Sequence, residues 1–456
     1  MSDVKTKRRR SRKTLYTTKS SSRRRVENAA ASAPFVISEA EIVKYVENEF
    51  VCTLPFWRCF VDLRANSPSR SVSVLERHTA LHCRIPCVSF RDVQVVWAVT
   101  TVTVQCIGCR GAAGDADRQR HTWRIGTMHF VHVGSPALFA KNSFHIQSVV
   151  HYDAPSVLQC VAGTMVNFGL VLYSCIRWVL AQREGIQLVL LEADAPAGPS
   201  AATASYAMGG DGGEVPFRPH MDMPAEGLLD ANTARCPAHY RLLCPPPTAR
   251  ILVLGMGGNS MAVALRCILG PAVRIDVVEM EPAVAAACRH AGTFGAPDQP
   301  FTVHLETAET IMPTFADNTF DFIFMDLFDP MNASMNTEGS IAYQCMQKLT
   351  LGGLLLVNDH QLPSPKSLAK FTELCGNANV TVVNLHGSIE SVVACMRTNG
   401  DAATEGLLFD CRKGMMDAVH TQLYAQLAPG LLPSPSWIAS DETLVVNGKP
   451  CRLFVS

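Results

Sequence analysis

From Arg250 to Met396 the chain alternates short apolar runs with stretches of helical spacing. Ile251–Leu254 reads as a buried strand, and a helix is expected from about Asn259 to Leu269, with Met261, Val263, Ala264, Cys267 and Ile268 on its apolar face and Gly270-Pro271 ending it. Ile275–Glu279 is the second strand, and Pro282 then starts a helix running to about His290. Phe301–Leu305 is the third strand. A short helix follows it, and then the fourth strand, Phe320–Met325, which ends in Asp326. Leu354–Val357 is the fifth, ahead of a helix near Ser367–Cys375, and two β runs, Val380–Leu385 and Ser391–Met396, close the series. Helices alternating with five β runs and followed by a terminal β pair predict an α/β fold with one doubly wound sheet of seven strands.

Upstream the period changes. From Pro34 to about His151 short β-type runs stand between polar turns: Val88-Ser89-Phe90, Val93–Val99, Val102–Val104 and Phe130–Val133. They predict a β-rich N-terminal region. Ala154–Ile176 carries no formal charge, which meets the length rule for a membrane span, but Gln159, Gly163, Asn167, Gly169 and Ser174 dilute it and Arg177 follows at once. The expectation is therefore a core helix packed against the sheet, and no membrane association. Residues Ala195–Pro224 are rich in Ala, Pro, Gly and Ser and read as an inserted loop. The glycines of Gly209–Gly213 inside it have no preceding strand and no following helix to give them meaning. The organisation expected is a disordered basic tail (1–33), a β-rich region (34–152), a core helix with the insertion (153–249), the α/β domain (250–400) and a C-terminal helix and β-hairpin extension (401–456).

Charge changes the picture only at the N-terminus. Residues 1–25 hold Lys5, Lys7, Arg8, Arg9, Arg10, Arg12, Lys13, Lys19, Arg23, Arg24 and Arg25 against Asp3 alone, so a formally neutral chain is polarised, with a tail near +10 and a body near −10. The tail has too few apolar residues to fold, and its clusters point to an RNA or import-receptor contact. The mildly acidic body gives no general reason to bind nucleic acid. No apolar segment of the secretory kind opens the chain, and the tail lacks the apolar face of a transit peptide, so a cytoplasmic or nuclear location is expected over a mitochondrial one. The seventeen cysteines are scattered, many within apolar runs, which suits reduced intracellular thiols. Cys83, Cys87, Cys106 and Cys109 admit a zinc site, but the spacing is irregular and buried thiols are the expectation; no metal is assigned.

The chemistry gathers where the first strand ends. Gly255, Gly257 and Gly258 allow a ligand close to the backbone at the start of the next helix, and Glu279, 24 residues after the first glycine, closes the second strand where a carboxylate can accept hydrogen bonds from both hydroxyls of a ribose.

Those residues, with Val277-Val278-Glu279-Met280-Glu281-Pro282 and Phe320–Pro330, resemble the spermidine synthase-like branch of the class I S-adenosylmethionine-dependent methyltransferases. Within the branch they are most similar to the C-terminal domain of the lysine and N-terminal methyltransferase acting on elongation factor 1-alpha. The resemblance covers roughly residues 250–400, extends weakly to Trp437 and the closing hairpin around Asn447-Gly448, and is most specific at Asp326-x-x-Asp329-Pro330. It implies a seven-stranded, Rossmann-like methyltransferase sheet and S-adenosyl-L-methionine as cofactor. Gly255, Gly257, Gly258, Glu279, Glu306 and Asp326 would contact that cofactor. Asp326 would be the catalytic acid that helps orient and deprotonate an amine, and Asp329 the second catalytic acid of that motif.

The chain departs from the polyamine enzymes of that branch. It has Gly258 where they keep an aspartate and Thr307 where they keep an adenine-contacting acid, with Glu306 one residue early, and Asn358 falls where they use a glutamine. Loss of these groups argues against a small dication as substrate. The leading expectation is thus a methyltransferase acting on an amine carried by a protein. An aminopropyltransferase and a catalytically degenerate methyltransferase-fold scaffold or assembly factor are the alternatives.

Overall fold

The computed structural model describes residues 37–52, 71–107, 118–135, 147–153, 160–183, 248–270, 272–295, 301–328, 339–385, 390–400, 407–411, 438–447 and 449–455, with positions 139, 158, 416 and 419. The basic tail, the Ala195–Pro224 segment, Cys109, Asp329 and Trp437 lie outside the described residues.

Helix α1 (Glu39–Cys52) precedes an antiparallel sheet of four strands, β1 (Ser71–Pro86), β2 (Val93–Ile107), β3 (Arg118–His132) and β4 (Ser148–His151), in the order β1-β2-β3-β4. The expected β region is present with different boundaries. Val88-Ser89-Phe90 is the turn of the β1–β2 hairpin, not a strand, and the runs at Val93–Val99 and Val102–Val104 are one strand. β1 carries only two short alternating pieces, Val72/Val74 and Leu81/Cys83/Ile85, split by a polar middle, because it is an edge strand with Ser73–His78 exposed. The antiparallel register sets Cys83 opposite Trp97 and Cys106 opposite Val72. Those two cysteines therefore stand near opposite ends of the hairpin and cannot share a metal ion. Burial pushes the Cys87 thiol up to about 12, with Glu281 and Glu279 adding to the shift.

The second sheet begins after the segment that follows α2 (Cys160–Arg183). Its parallel strands β5 (Arg250–Leu254), β6 (Arg274–Val278), β7 (Phe301–His304), β8 (Phe320–Met325) and β9 (Leu349–Asp359) are followed by β10 (Val380–Asn384) and the antiparallel β11 (Ser391–Met396). Their order is β7-β6-β5-β8-β9-β11-β10, the Rossmann-like arrangement of a methyltransferase sheet. The C-terminal hairpin, β12 (Ile438–Val446) and β13 (Lys449–Val455), turns at Asn447 and adds β13 parallel to β10, so the sheet has nine strands rather than seven. Among the described residues, helices α3 (Ser260–Leu269), α4 (Pro282–His290), α5 (Ala308–Ile311), α6 (Gly339–Lys348), α7 (Pro365–Cys375) and α8 (Leu407–Asp410) lie between and after these strands. The strands alternate their side chains between two faces. Ile251, Val253, Phe322, Phe324, Leu354 and Leu356 serve one core and Leu252, Leu254, Ile323, Met325, Leu355 and Val357 the other.

The first of these cores joins the two sheets. Val95, Trp97, Met128, Val150 and Tyr152 of the N-terminal region pack with residues of α2, α3 and α4 in one continuous cluster. Helix α2 contains a stretch, Val161–Leu180, long and apolar enough to cross a membrane, yet most of it is buried inside the fold against β9, β11, α3 and α8. Its apolar surface is consumed by the core, as the sequence led one to expect.

Candidate active site

Parallel strands of this order leave a crevice at their carboxyl ends, between β5 and β8, where successive connections leave toward opposite edges of the sheet. The glycine turn is built there. Gly255 has φ +94° and donates its N–H to Val278 O (2.9 Å); a Cβ at this position would collide with the carbonyl oxygen of Asp326. The Asp326 N–H in turn bonds to Leu254 O at 2.9 Å. The turn after β5 and the acid after β8 are thus in direct backbone contact. Asn259 caps α3 from the left-handed region at φ 59° and anchors its amide on Thr293 O at 2.6 Å.

Glu279, one residue beyond β6, is 8% exposed and faces this turn. Its carboxylate accepts from Met256 N (3.1 Å) and Glu281 N (2.8 Å), while its own N–H donates to His304 O (3.0 Å). Burial raises its pKa to about 7 against the downward pull of those hydrogen bonds. Two residues on, Glu281 is fully buried and accepts from Val88 N (2.9 Å), Ser89 N (2.8 Å) and Ala283 N (3.0 Å). It therefore caps α4 and ties the β1–β2 turn to the carboxyl-end side of the sheet. His82 Nε2 against His290 O (2.7 Å) is a second tie between the same elements.

The other two glycines face the N-terminal sheet. Gly258 N donates to Ser148 Oγ at 2.8 Å, and a Cβ on Gly258 would stand 2.9 Å from Ser148 Cβ and 3.2 Å from Trp97 Cη2. A Cβ on Gly257 would meet Ser148 Oγ at 2.5 Å. Strand β4 thus occupies the space that these glycines leave open. Glu306 lies exposed beyond the end of β7, and Thr307 beside it caps α5 through Thr310 N.

At the end of β8 a polar cluster gathers. Asp326 Oδ1 accepts from Asn358 Nδ2 at 2.9 Å. Burial raises the Asp326 pKa, opposed by that bond and by the nearby His360. His360, just past β9, sets Nδ1 2.9 Å from Glu390 Oε1, and the ring of Phe328 lies 6.2 Å from its own. Burial lowers the His360 pKa, but the Glu390 bond and the charges of Glu390, Asp326 and Asp359 outweigh it, so the net shift is upward. Asp359 is held by Gln361 Nε2 at 3.0 and 3.2 Å and by Lys370 Nζ at 3.6 Å.

Comparison with known proteins returned no matching family model and no matching curated protein. Among solved structures, a probable spermidine synthase from Corynebacterium glutamicum is similar at 15% identity over 72% of this chain and 86% of that one, with a TM-score of 0.37. Human methyltransferase-like protein 13, solved with SAH, is similar at 18% identity over 39% and 82%, TM-score 0.31. Spermidine synthase from Thermotoga maritima matches at 15% over 33% and 55%, TM-score 0.28. Scores below 0.5 leave the assignment to the strand order and turn geometry of the chain itself. The fold is a class I methyltransferase-like one.

Within that fold the structure brings Gly255, Glu279 and Asp326 together at one crevice. Gly257 and Gly258 belong to the same turn but serve contacts with β4, and Glu306 stays outside the cluster. Three residues were not read as site residues from the sequence. Ser148 gave no local signal. His360 follows Asn358-Asp359 directly after an apolar run, a row of polar side chains at a strand's carboxyl end that points to this crevice. Glu390 lies thirty residues further on and is placed only by the antiparallel pairing of β11 with β9, in which Ser391 stands opposite Asp359.

Proposed function

We propose that the chain is an S-adenosyl-L-methionine-dependent methyltransferase whose acceptor is an amine carried by a protein. The observation that carries this reading is the hydrogen-bonded convergence of the Gly255 turn, Glu279 and Asp326 at the switch point of the sheet. The residues suit such a cofactor at two places. Glu279, buried and holding only backbone N–H groups, keeps lone pairs for ribose hydroxyls, and Asp326 stands across the turn from it at the reacting end. When bound, the cofactor supplies an electrophilic methyl group on a sulfonium. The chain's own contribution is positioning: Asp326, fixed by Asn358, orients an amine by charge-assisted hydrogen bonds.

One observation favours the non-catalytic scaffold as a second reading. Ser148 Oγ already satisfies Gly258 N–H, a donor that an enzyme of this fold would leave for its ligand. Incubation of a whole-cell lysate with the full chain and methyl-labelled S-adenosyl-L-methionine tests both. The methyltransferase reading expects protein-bound label that Asp326→Ala reduces at least about tenfold. Equal labelling by both forms removes Asp326 from the mechanism, and no labelling by either supports the scaffold.

A further inference from the structure

Beside Asp326 three acceptor atoms have no partner, or none beyond one bond, among the described residues. Asn358 is 3% exposed, its Nδ2 committed to Asp326, and its Oδ1 makes no hydrogen bond. His360 Nδ1 is committed to Glu390, and its Nε2 is buried without a partner. Asp326 has one oxygen on Asn358 and its second oxygen makes no hydrogen bond among the described residues. Buried polar atoms are rarely left unpaired without a reason. Strand alternation sends the side chains of Asn358 and His360 to the same side, both near Asp326, and Phe328 packs beside the imidazole. The formal charge here is negative: Glu390, from the segment before β11, bonds His360, and Asp326, after β8, and Asp359 of β9 add their charges to its surroundings, while Asp359, on the other side of the strand, is paired with Lys370 of α7.

We propose that this cluster is a binding site for a primary ammonium group, and that His360 Nε2, rather than the Asp326 carboxylate, takes its proton. Resting on the methyltransferase reading for the later fate of the amine, the assignment follows from matching donors to acceptors. An R–NH3+ group has three N–H bonds for the three acceptors, and its charge balances the excess of carboxylates. The Glu390 contact places the Nδ1 proton toward the carboxylate, which leaves the lone pair on Nε2. In the step itself one N–H bond of R–NH3+ breaks, its electron pair stays on nitrogen as R–NH2, and the proton forms a new N–H bond at Nε2. The imidazolium is then stabilised by Glu390. A base whose pKa lies near the working pH does this better than a carboxylate, because the proton travels less far uphill from an amine. Asp326 keeps the orienting role.

The test uses the full chain with ring-labelled histidines and n-butylammonium as a probe of the lysine side-chain type, with the His360 resonance assigned by its loss in His360→Gln. The expected result is that n-butylammonium moves the His360 Nε2 resonance at pH 8.5, and binds about tenfold more weakly at pH 5.5, where a protonated ring repels the cation. Glu390→Gln should lower the His360 titration midpoint, and Asp326→Asn should weaken the probe without moving that midpoint as far. An unmoved His360 resonance at saturating probe, or equal binding at both pH values, overturns the proposal. None of these readings needs the cofactor, so they stand apart from failure of the methyltransferase reading, which would show as no binding of S-adenosyl-L-methionine.

Discussion

At the scale of residues, Glu279 is the group whose chemistry decides the most. Its carboxyl group binds its proton more tightly when folded, with a pKa near 7, than in an unfolded chain near 4.5. Between those values the native state holds a proton that the unfolded state has lost, so stability falls as pH rises from about 4.5 to about 7, by on the order of 2–4 kcal/mol. Glu279→Gln should flatten that slope in urea titrations run from pH 4.5 to 8; an unchanged slope would mean the proton sits elsewhere. Under the proposed function, ribose hydroxyls bind the ionised form best, so S-adenosyl-L-methionine affinity should rise roughly tenfold between pH 6 and 8 in the wild type and stay level in Glu279→Gln. Gly255 offers an independent check on the turn. With φ +94° and the Asp326 carbonyl where a Cβ would lie, Gly255→Ala should cost about 2–4 kcal/mol in denaturant unfolding, and a cost under about 1 kcal/mol would show that the two strand ends are not in contact.

At the scale of elements, Glu281 joins two parts of the chain that are nearly two hundred positions apart. It holds three backbone N–H groups, two from the β1–β2 turn and one from α4, so Glu281→Ala would leave them buried or force the turn away. The expected loss is about 2–4 kcal/mol with increased amide exchange at Val88 and Ser89; protection unchanged at those two amides would contradict the tie. This joint also marks the limit of what the chain shows before it is folded. Strands β8 and β11 and helix α4 were readable to the residue, because strands buried on both faces are continuous apolar runs and a proline fixes a helix start. Strand β1 was not, since half of it faces solvent and carries Ser73, Glu76, Arg77 and His78. The crevice divides the same way. Gly255 and Glu279 follow strand ends and could be named from spacing, and Asp326 from the family resemblance, whereas Ser148 and Glu390 arrive from other elements by tertiary packing, which no local pattern encodes.

At the scale of the whole molecule, the N-terminal sheet and the methyltransferase-like sheet share one apolar core through Trp97, Val150, Tyr152 and helices α2, α3 and α4. They should therefore unfold together. Trp97 is fully buried with Nε1 bonded to Tyr152 Oη at 2.9 Å, so the change in tryptophan emission and the change in helical circular dichroism should share one midpoint; two midpoints would show separate units. The same packing seats β4 on the glycine turn, and the function of the chain hinges on whether that turn still admits a ligand. Calorimetric titration of the full chain with S-adenosyl-L-methionine at pH 8, set beside Glu279→Ala, decides it. The methyltransferase account predicts saturable binding by the wild type, weakened at least about tenfold by the substitution. No heat of binding at high micromolar cofactor, or equal affinity in both forms, would contradict it.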